Sequence, residues 1–277
     1  MKKIVVPTDL SELSLNALKL AILLAKSLES KIDLVYVINK TNHMDKSEIR
    51  EKLVEIENEY KKDYPNIQHH IKEGKIYEEI VYHTERFKDS ILATSTHGVS
   101  GLEELFIGSN AYKIISFTIQ PVFTIRGNEI PDKIKKIVLP IDVTPETREK
   151  VPFTALLAKK LDAEILVITI SETHLRGIEK KITNYGTQVC KYLDKYEIKN
   201  SMTHIEGNNL ADVTVNYAIE EKAQLISAMS QQEKNVSNYI LGNYTHQMIN
   251  KSTIPVLIFP TRHIGRINDS FHAAGIS

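Results

Sequence analysis

The chain has one cysteine in 277 residues, Cys190, so no disulfide can close within it. It also lacks any excess of charge, with 35 Lys and Arg against 35 Asp and Glu. That balance leaves no electrostatic footprint for nucleic acid or for an anionic membrane surface. No stretch approaches the roughly 20 apolar residues of a membrane span. Aromatic residues are few, 7%. Tyr112, Tyr185, Tyr192, Tyr217 and Tyr239 are too scattered to stack the bases of a single strand. The start, Met1 to Pro7, runs straight into strand-like sequence, and its apolar run is too short for a signal peptide. These absences predict a protein of the reducing cytoplasm with neither a nucleic acid nor a membrane partner.

What is present fits a soluble globular protein: 42% hydrophobic and 25% charged residues, over a length sufficient for two domains. Apolar runs and helical periodicity alternate along the first half. Strands are expected at 3–8, 31–38, 66–73, 90–94 and 120–126, and helices at 14–28, 46–64, 75–87 and 111–117. In the first helix Leu18, Ala21, Ile22, Ala25 and Leu28 share one face. Strands alternating with helices predict an α/β domain whose parallel sheet is covered on both faces.

Residues 127–134 read as a linker, and the pattern then repeats. Lys135-Lys136-Ile137-Val138-Leu139-Pro140-Ile141-Asp142 matches Lys2-Lys3-Ile4-Val5-Val6-Pro7-Thr8-Asp9. At the same offset Leu156-Leu157-Ala158-Lys159 matches Leu23-Leu24-Ala25-Lys26, and Glu206-Gly207 matches Glu73-Gly74. One inserted residue later, Leu241-Gly242-Asn243 falls on Ile107-Gly108-Ser109. An offset held this far marks two copies of one domain. The expected domains are 1–127 and 134–260, with a tail at 261–277.

The segment that most invites a function is Ser95-Thr96-His97-Gly98, nine residues, then Gly108-Ser109-Asn110. It lies between a buried strand and a helix. Unpaired N–H groups and the helix dipole make such a helix start attractive to anions. Gly98 and Gly108 would let the backbone approach a phosphate without an intervening Cβ. Ser109 would cap the helix or bond a phosphate oxygen. The plainer alternative is a polar loop with a capping serine. The second copy has Met229-Ser230-Gln231-Gln232 here and no glycine before Gly242. It also places Pro152 inside its first helix, where a missing N–H predicts a kink.

These residues give the chain a resemblance to the universal stress protein family in its tandem form. The carriers are Val6-Pro7-Thr8-Asp9, Leu34-Val35-Tyr36-Val37 and the loop. Nucleotide-binding members carry Gly-x2-Gly-x9-Gly-Ser/Thr; here Ser95-x2-Gly98-x9-Gly108-Ser109 keeps the spacing, with serine at the first glycine. The resemblance implies an open, Rossmann-like α/β fold of the adenine nucleotide alpha-hydrolase-like class, with five parallel strands per domain. It implies pairing of the last strands into an intramolecular pseudo-dimer, with a further homodimer as an option.

It also implies ATP, ADP or AMP as ligand of the first domain, with Mg²⁺ accompanying a triphosphate. Pro7, Thr8 and Val37 would line the base pocket. Asp9 would meet the ribose or the adenine amine, unless it is only a helix cap. Ser95 and His97 would line the loop, and Gly98, Gly108, Ser109 and Asn110 would hold the phosphates. Ser95 would either strain a left-handed backbone or add a hydroxyl contact. The second domain is expected to be degenerate, with Asp142 a helix cap.

No general base, nucleophile or arginine finger is poised in the loop. The expected role is a nucleotide-binding sensor or interaction protein in stress response, with a slow ATPase or a module that binds no nucleotide as alternatives. A metal on His69, His70 and His97 is disfavoured, because adjacent strand residues point to opposite faces. His263-Ile264-Gly265-Arg266 lacks the last histidine of the His-Ile-Gly-His signature of nucleotidyl-transferring enzymes and reads as tail. Cys190 reads as buried and inert.

Overall fold

Ile4, Val5 and Val6 in Lys3–Thr8 (β1) are wholly buried, so this strand has no solvent face. Such a strand belongs inside a parallel sheet covered by helices. The computed structural model describes residues 1–40, 44–96, 107–127, 129–171, 176–230 and 241–261. The chain forms two compact units, Met1–Ile130 and Pro131–Ser277.

In the first unit β1 is followed by α1 (Glu12–Leu28), β2 (Lys31–Ile38), α2 (Lys46–Tyr60), β3 (Ile67–Glu73), α3 (Ile76–Glu85), β4 (Ser90–Ser95), α4 (Ser109–Phe117) and β5 (Val122–Ile125). The strands lie in the order β3-β2-β1-β4-β5, and every pairing among them is parallel. The Ser11 hydroxyl accepts the Ser14 N–H to cap α1, and the helix ends on Glu29 in the left-handed region, φ 53°. The stripe Leu18, Ala21, Ile22, Ala25 and Leu28 is buried, as its spacing predicts.

The second unit repeats the plan. It contains β6 (Lys136–Ile141), a 3₁₀ turn (Pro145–Arg148), α5 (Val151–Leu161), β7 (Glu164–Ser171), α6 (Arg176–Lys195), β8 (Asn200–Glu206), α7 (Leu210–Glu220), β9 (Leu225–Ser230), α8 (Asn243–Lys251) and β10 (Val256–Pro260). Its order is β10-β9-β6-β7-β8, again parallel throughout. Even the cap recurs: α5 ends on Asp162 at φ 51°.

Two local expectations are corrected. Pro152 lies in the first turn of α5, where no intrahelical partner awaits its missing N–H, and the segment before it is a separate 3₁₀ turn. The fourth helix begins at Ser109, two residues before the sequence predicts, because Gly108 takes the cap position. Among the described residues no helix is long and apolar enough to cross a membrane.

Candidate functional site

In the first unit the strand order reverses direction between β1 and β4. Open α/β sheets bind ligands at such a switch point, outside the carboxyl ends of the strands. Pairing of β1 with β4 runs only from Lys3↔Ser90 to Val5↔Leu92, although the strands continue to Thr8 and Ser95. The pairing of β1 with β2 holds to Thr8↔Tyr36. The strands therefore part on one side, and a crevice opens between Thr8 and Ser95.

Both walls of the crevice have defined backbones. Beyond β1, the Leu10 N–H donates to Thr8 Oγ1 at 3.0 Å, and Leu10 takes φ 69°. A left-handed leucine costs about 1 kcal/mol, so this turn is held against local preference. The Thr8 and Ser14 hydroxyls bond at 2.9 Å. Asp9 is exposed and accepts both the N–H and the hydroxyl of Ser11. Asp9 is thus a turn former, and the α1 cap is Ser11.

Beyond β4, the Thr96 N–H donates to Ile125 O at 3.0 Å, and the Gly108 N–H donates to Thr96 O at 2.7 Å. The second bond closes the neck of the loop and sets the start of α4 beside the end of β4. Gly108 caps α4 with no side-chain hydrogen bond. Ser109 and Asn110 are exposed in its first turn. Ser109 is therefore the first helical residue, and Gly108 holds the cap position. Gly108 has φ −61°, a backbone open to any residue, so its relevance is its lack of a Cβ. Ser95 is the half-buried last residue of β4 and is not among the positive-φ residues, so serine carries no left-handed strain there. Pro7 is half-buried; Thr8 and Val37 are buried at the ends of β1 and β2. His97 and Gly98 lie outside the described residues, as do Gln231, Gln232 and the 263–266 segment.

The second unit has an equivalent opening. Pairing of β6 with β9 covers only Ile137↔Leu225 and Val138↔Ile226, while the strands run on to Ile141 and Ser230. Beside it, over the end of β7, lies a cleft of about 400 Å³ walled by Asp142, Thr144, Ser171, Asn208, Asn209, Asn243, Tyr244 and Gln247 over Ile170, Ile178, Ile182 and Leu210. Asp142 accepts the Thr144 N–H at 2.7 Å and its hydroxyl, which repeats the Asp9 turn. It does not cap a helix, because the next turn has no side-chain cap.

Beneath the cleft, Lys150 is 2% exposed and donates to Thr147 O at 2.6 Å. Burial lowers its pKa to about 8, against a partial offset from Asp142 and Glu149. Tyr244 donates to or accepts from the Thr214 hydroxyl at 2.9 Å, and burial pushes its phenol up. Sequence reasoning passed over Lys150, Tyr244, Asn208 and Asn209, and marked Asn243 only as the counterpart of Ser109. The available signal was a lysine just before an apolar helix and an Asn-Asn pair before another.

His69 and His70 do face apart. His69 Nδ1 meets Glu57 of α2, whereas His70 faces Asp33 and ring-packs on His83 at 4.9 Å. Cys190 is half-buried, and burial raises its thiol pKa.

The universal stress protein family profile matches residues 1–126 and again 133–260. Universal stress protein MJ0531 of Methanocaldococcus jannaschii is 30% identical over 139 residues, which cover 45% of this chain and 82% of that protein. A universal stress protein structure from Archaeoglobus fulgidus superposes with a TM-score of 0.74 at 20% identity, covering 94% of this chain and 98% of its own. A putative universal stress protein from Pseudomonas aeruginosa gives 0.71 at 16% identity, with 98% and 97% covered. Those two likenesses bear on the fold, and the repeated profile match carries the assignment: the chain belongs to the universal stress protein family.

Proposed function

We propose that the first unit binds an adenine nucleotide and that the chain acts in stress response as a nucleotide-dependent sensor or interaction protein in the cytoplasm. The observation that carries this reading is the start of α4. Among the described residues its first-turn N–H groups have no side-chain cap, and the Gly108–Thr96 bond holds them at the parted ends of β1 and β4. Such donors match the chemistry of a phosphate. In this reading the backbone of Gly108, Ser109 and Asn110 holds phosphate oxygens. Asp9 takes a ribose hydroxyl or the adenine amine, and Pro7, Thr8 and Val37 border the base. Ser95, His97 and Gly98 complete the loop, and Mg²⁺ would screen a triphosphate. The arrangement favours binding over turnover.

Calorimetry of the full chain with Mg·ATP, ADP and AMP tests the proposal. Saturable binding that weakens in Gly108→Val supports it; no binding by the folded protein overturns it.

The cleft over Ile170 favours a second reading, in which the trailing unit holds a small uncharged ligand. Asparagine and glutamine amides match neutral donors and acceptors better than phosphate. Asn243→Trp, at an exposed position on the cleft wall, separates the two readings. Ligand binding that survives Gly108→Val and is lost in Asn243→Trp belongs to the second unit.

A further inference from the structure

Away from the crevice, toward the opposite ends of β1 and β2, Asp33 is the one charged residue buried in β2. Nitrogen groups from three elements converge on its Oδ2. Lys3 Nζ lies at 2.8 Å, His83 Nε2 at 2.8 Å and His70 Nε2 at 3.4 Å, and Gln68 donates to Oδ1 at 2.7 Å. Burial alone would raise the Asp33 pKa, but the facing His70 imidazole and the hydrogen bonds from His83, Lys3 and Gln68 outweigh it and hold the carboxyl well below the usual carboxylate range. The two imidazoles are less well served. Among the described residues, His70 Nε2 and His83 Nδ1 are buried with no hydrogen-bond partner. His70 Nε2 therefore aims at the carboxylate without making a hydrogen bond to it.

We propose that Asp33, His70 and His83 form a binding site for a four-coordinate divalent transition metal of the Zn²⁺ class, in which Lys3 is the resident cation that the metal displaces. One ligand atom from each of the three residues lies within 4.8 Å of the others. Two ligands on a tetrahedral zinc at about 2.0–2.1 Å sit a little over 3 Å apart, so closure requires only rotamer adjustments of the two histidines. Two imidazoles and one carboxylate suit zinc and its neighbours, whereas magnesium and calcium favour all-oxygen shells. The fourth position, now facing Lys3, is left for water. Solvent reaches the site past His70, whose side chain is 31% exposed, and past Lys3, at 12%. Lys3 has the length to swing out from its place 4.1 Å over the Phe87 ring.

The role of Lys3 gives the proposal its test. Zn²⁺ alone is titrated into the full chain by calorimetry, with Co²⁺ as a visible-spectrum reporter of coordination geometry. The wild-type protein is expected to bind one equivalent, and Co²⁺ to give the intense bands of a four-coordinate site. His70→Gln, at the more exposed ligand, should weaken binding tenfold or more while far-UV circular dichroism stays unchanged. Lys3→Met should strengthen it by about tenfold, because the competing ammonium is gone. A purely structural ion pair would give the opposite pattern, with Lys3→Met losing stability and gaining no metal. The proposal is overturned if neither wild type nor Lys3→Met binds Zn²⁺, or if binding is indifferent to His70→Gln. It is also overturned if Co²⁺ shows only the weak bands of a six-coordinate surface site.

Discussion

The backbone N–H of Gly108 donates to the carbonyl of Thr96 at 2.7 Å. One hydrogen bond thus closes the neck between a buried strand and the helix that follows it. Because Gly108 already has φ −61°, valine fits its backbone. Gly108→Val should therefore leave the thermal midpoint within a few degrees of wild type. Its branched Cβ would stand where a phosphate approaches, so Mg·ATP affinity should fall at least tenfold. Paired melts and calorimetry check both outcomes. A large loss of stability would instead give the glycine a structural role.

Asp9 separates turn formation from ligand contact. Its carboxylate accepts two bonds from Ser11, and an asparagine keeps an acceptor for them. Asp9→Asn should cost under about 0.5 kcal/mol of stability, whereas Asp9→Ala should cost about 1 kcal/mol. If Asp9 meets a ribose hydroxyl or an adenine amine, nucleotide affinity falls several-fold in both variants. Equal affinity across all three proteins would restrict Asp9 to the turn.

Lys150 makes the pH dependence of stability specific. Burial depresses its pKa to about 8 in the folded protein, against about 10.4 in an unfolded chain. Between those values the unfolded state holds more protons, so stability from this residue rises with pH. Below pH 8 the ammonium is charged in both states and its burial penalty is constant. From about pH 8 to 10 the gain is on the order of 2 kcal/mol. Urea denaturation of wild type and Lys150→Met at pH 7 and pH 9.5 measures it. Wild type should gain on the variant as pH rises, and parallel curves would refute the assignment.

The central strands were legible because strands buried on both faces read as mostly apolar runs; β1 and β2 fall where that pattern places them, with Asp33 the interruption in β2. Helix ends were less so. The charged segment after residue 46 looks helical to residue 64, yet α2 stops at Tyr60 and turns. No period marks that stop. The loop neck was half visible: a glycine before a helix is a sequence signal, but its bond to Thr96 is not. Asp33 and His83 are 50 residues apart, and only folding brings α3 against β2. A lone acid inside an apolar strand was the one hint.

Gly186 tests how closely α6 packs in the second unit. It is buried mid-helix, where alanine would normally gain up to about 1 kcal/mol of helix propensity. A Cβ there would come within 2.5 Å of Thr169 Cγ2 and 2.6 Å of Met202 Sδ. Met202 lies on exposed β8 and can swing aside, but Thr169 is buried in β7 and has no room to yield. Packing overlap of this kind costs roughly 1–3 kcal/mol, which outweighs the propensity gain. Gly186→Ala should therefore destabilise the protein, and Gly186→Leu should do so more strongly. Gly186→Ala in a Thr169→Ser background, which removes the obstructing methyl, should recover most of the loss. Equilibrium unfolding of the three variants decides the matter: a stabilised single mutant would mean that the helix stands farther from β7 than its glycine implies.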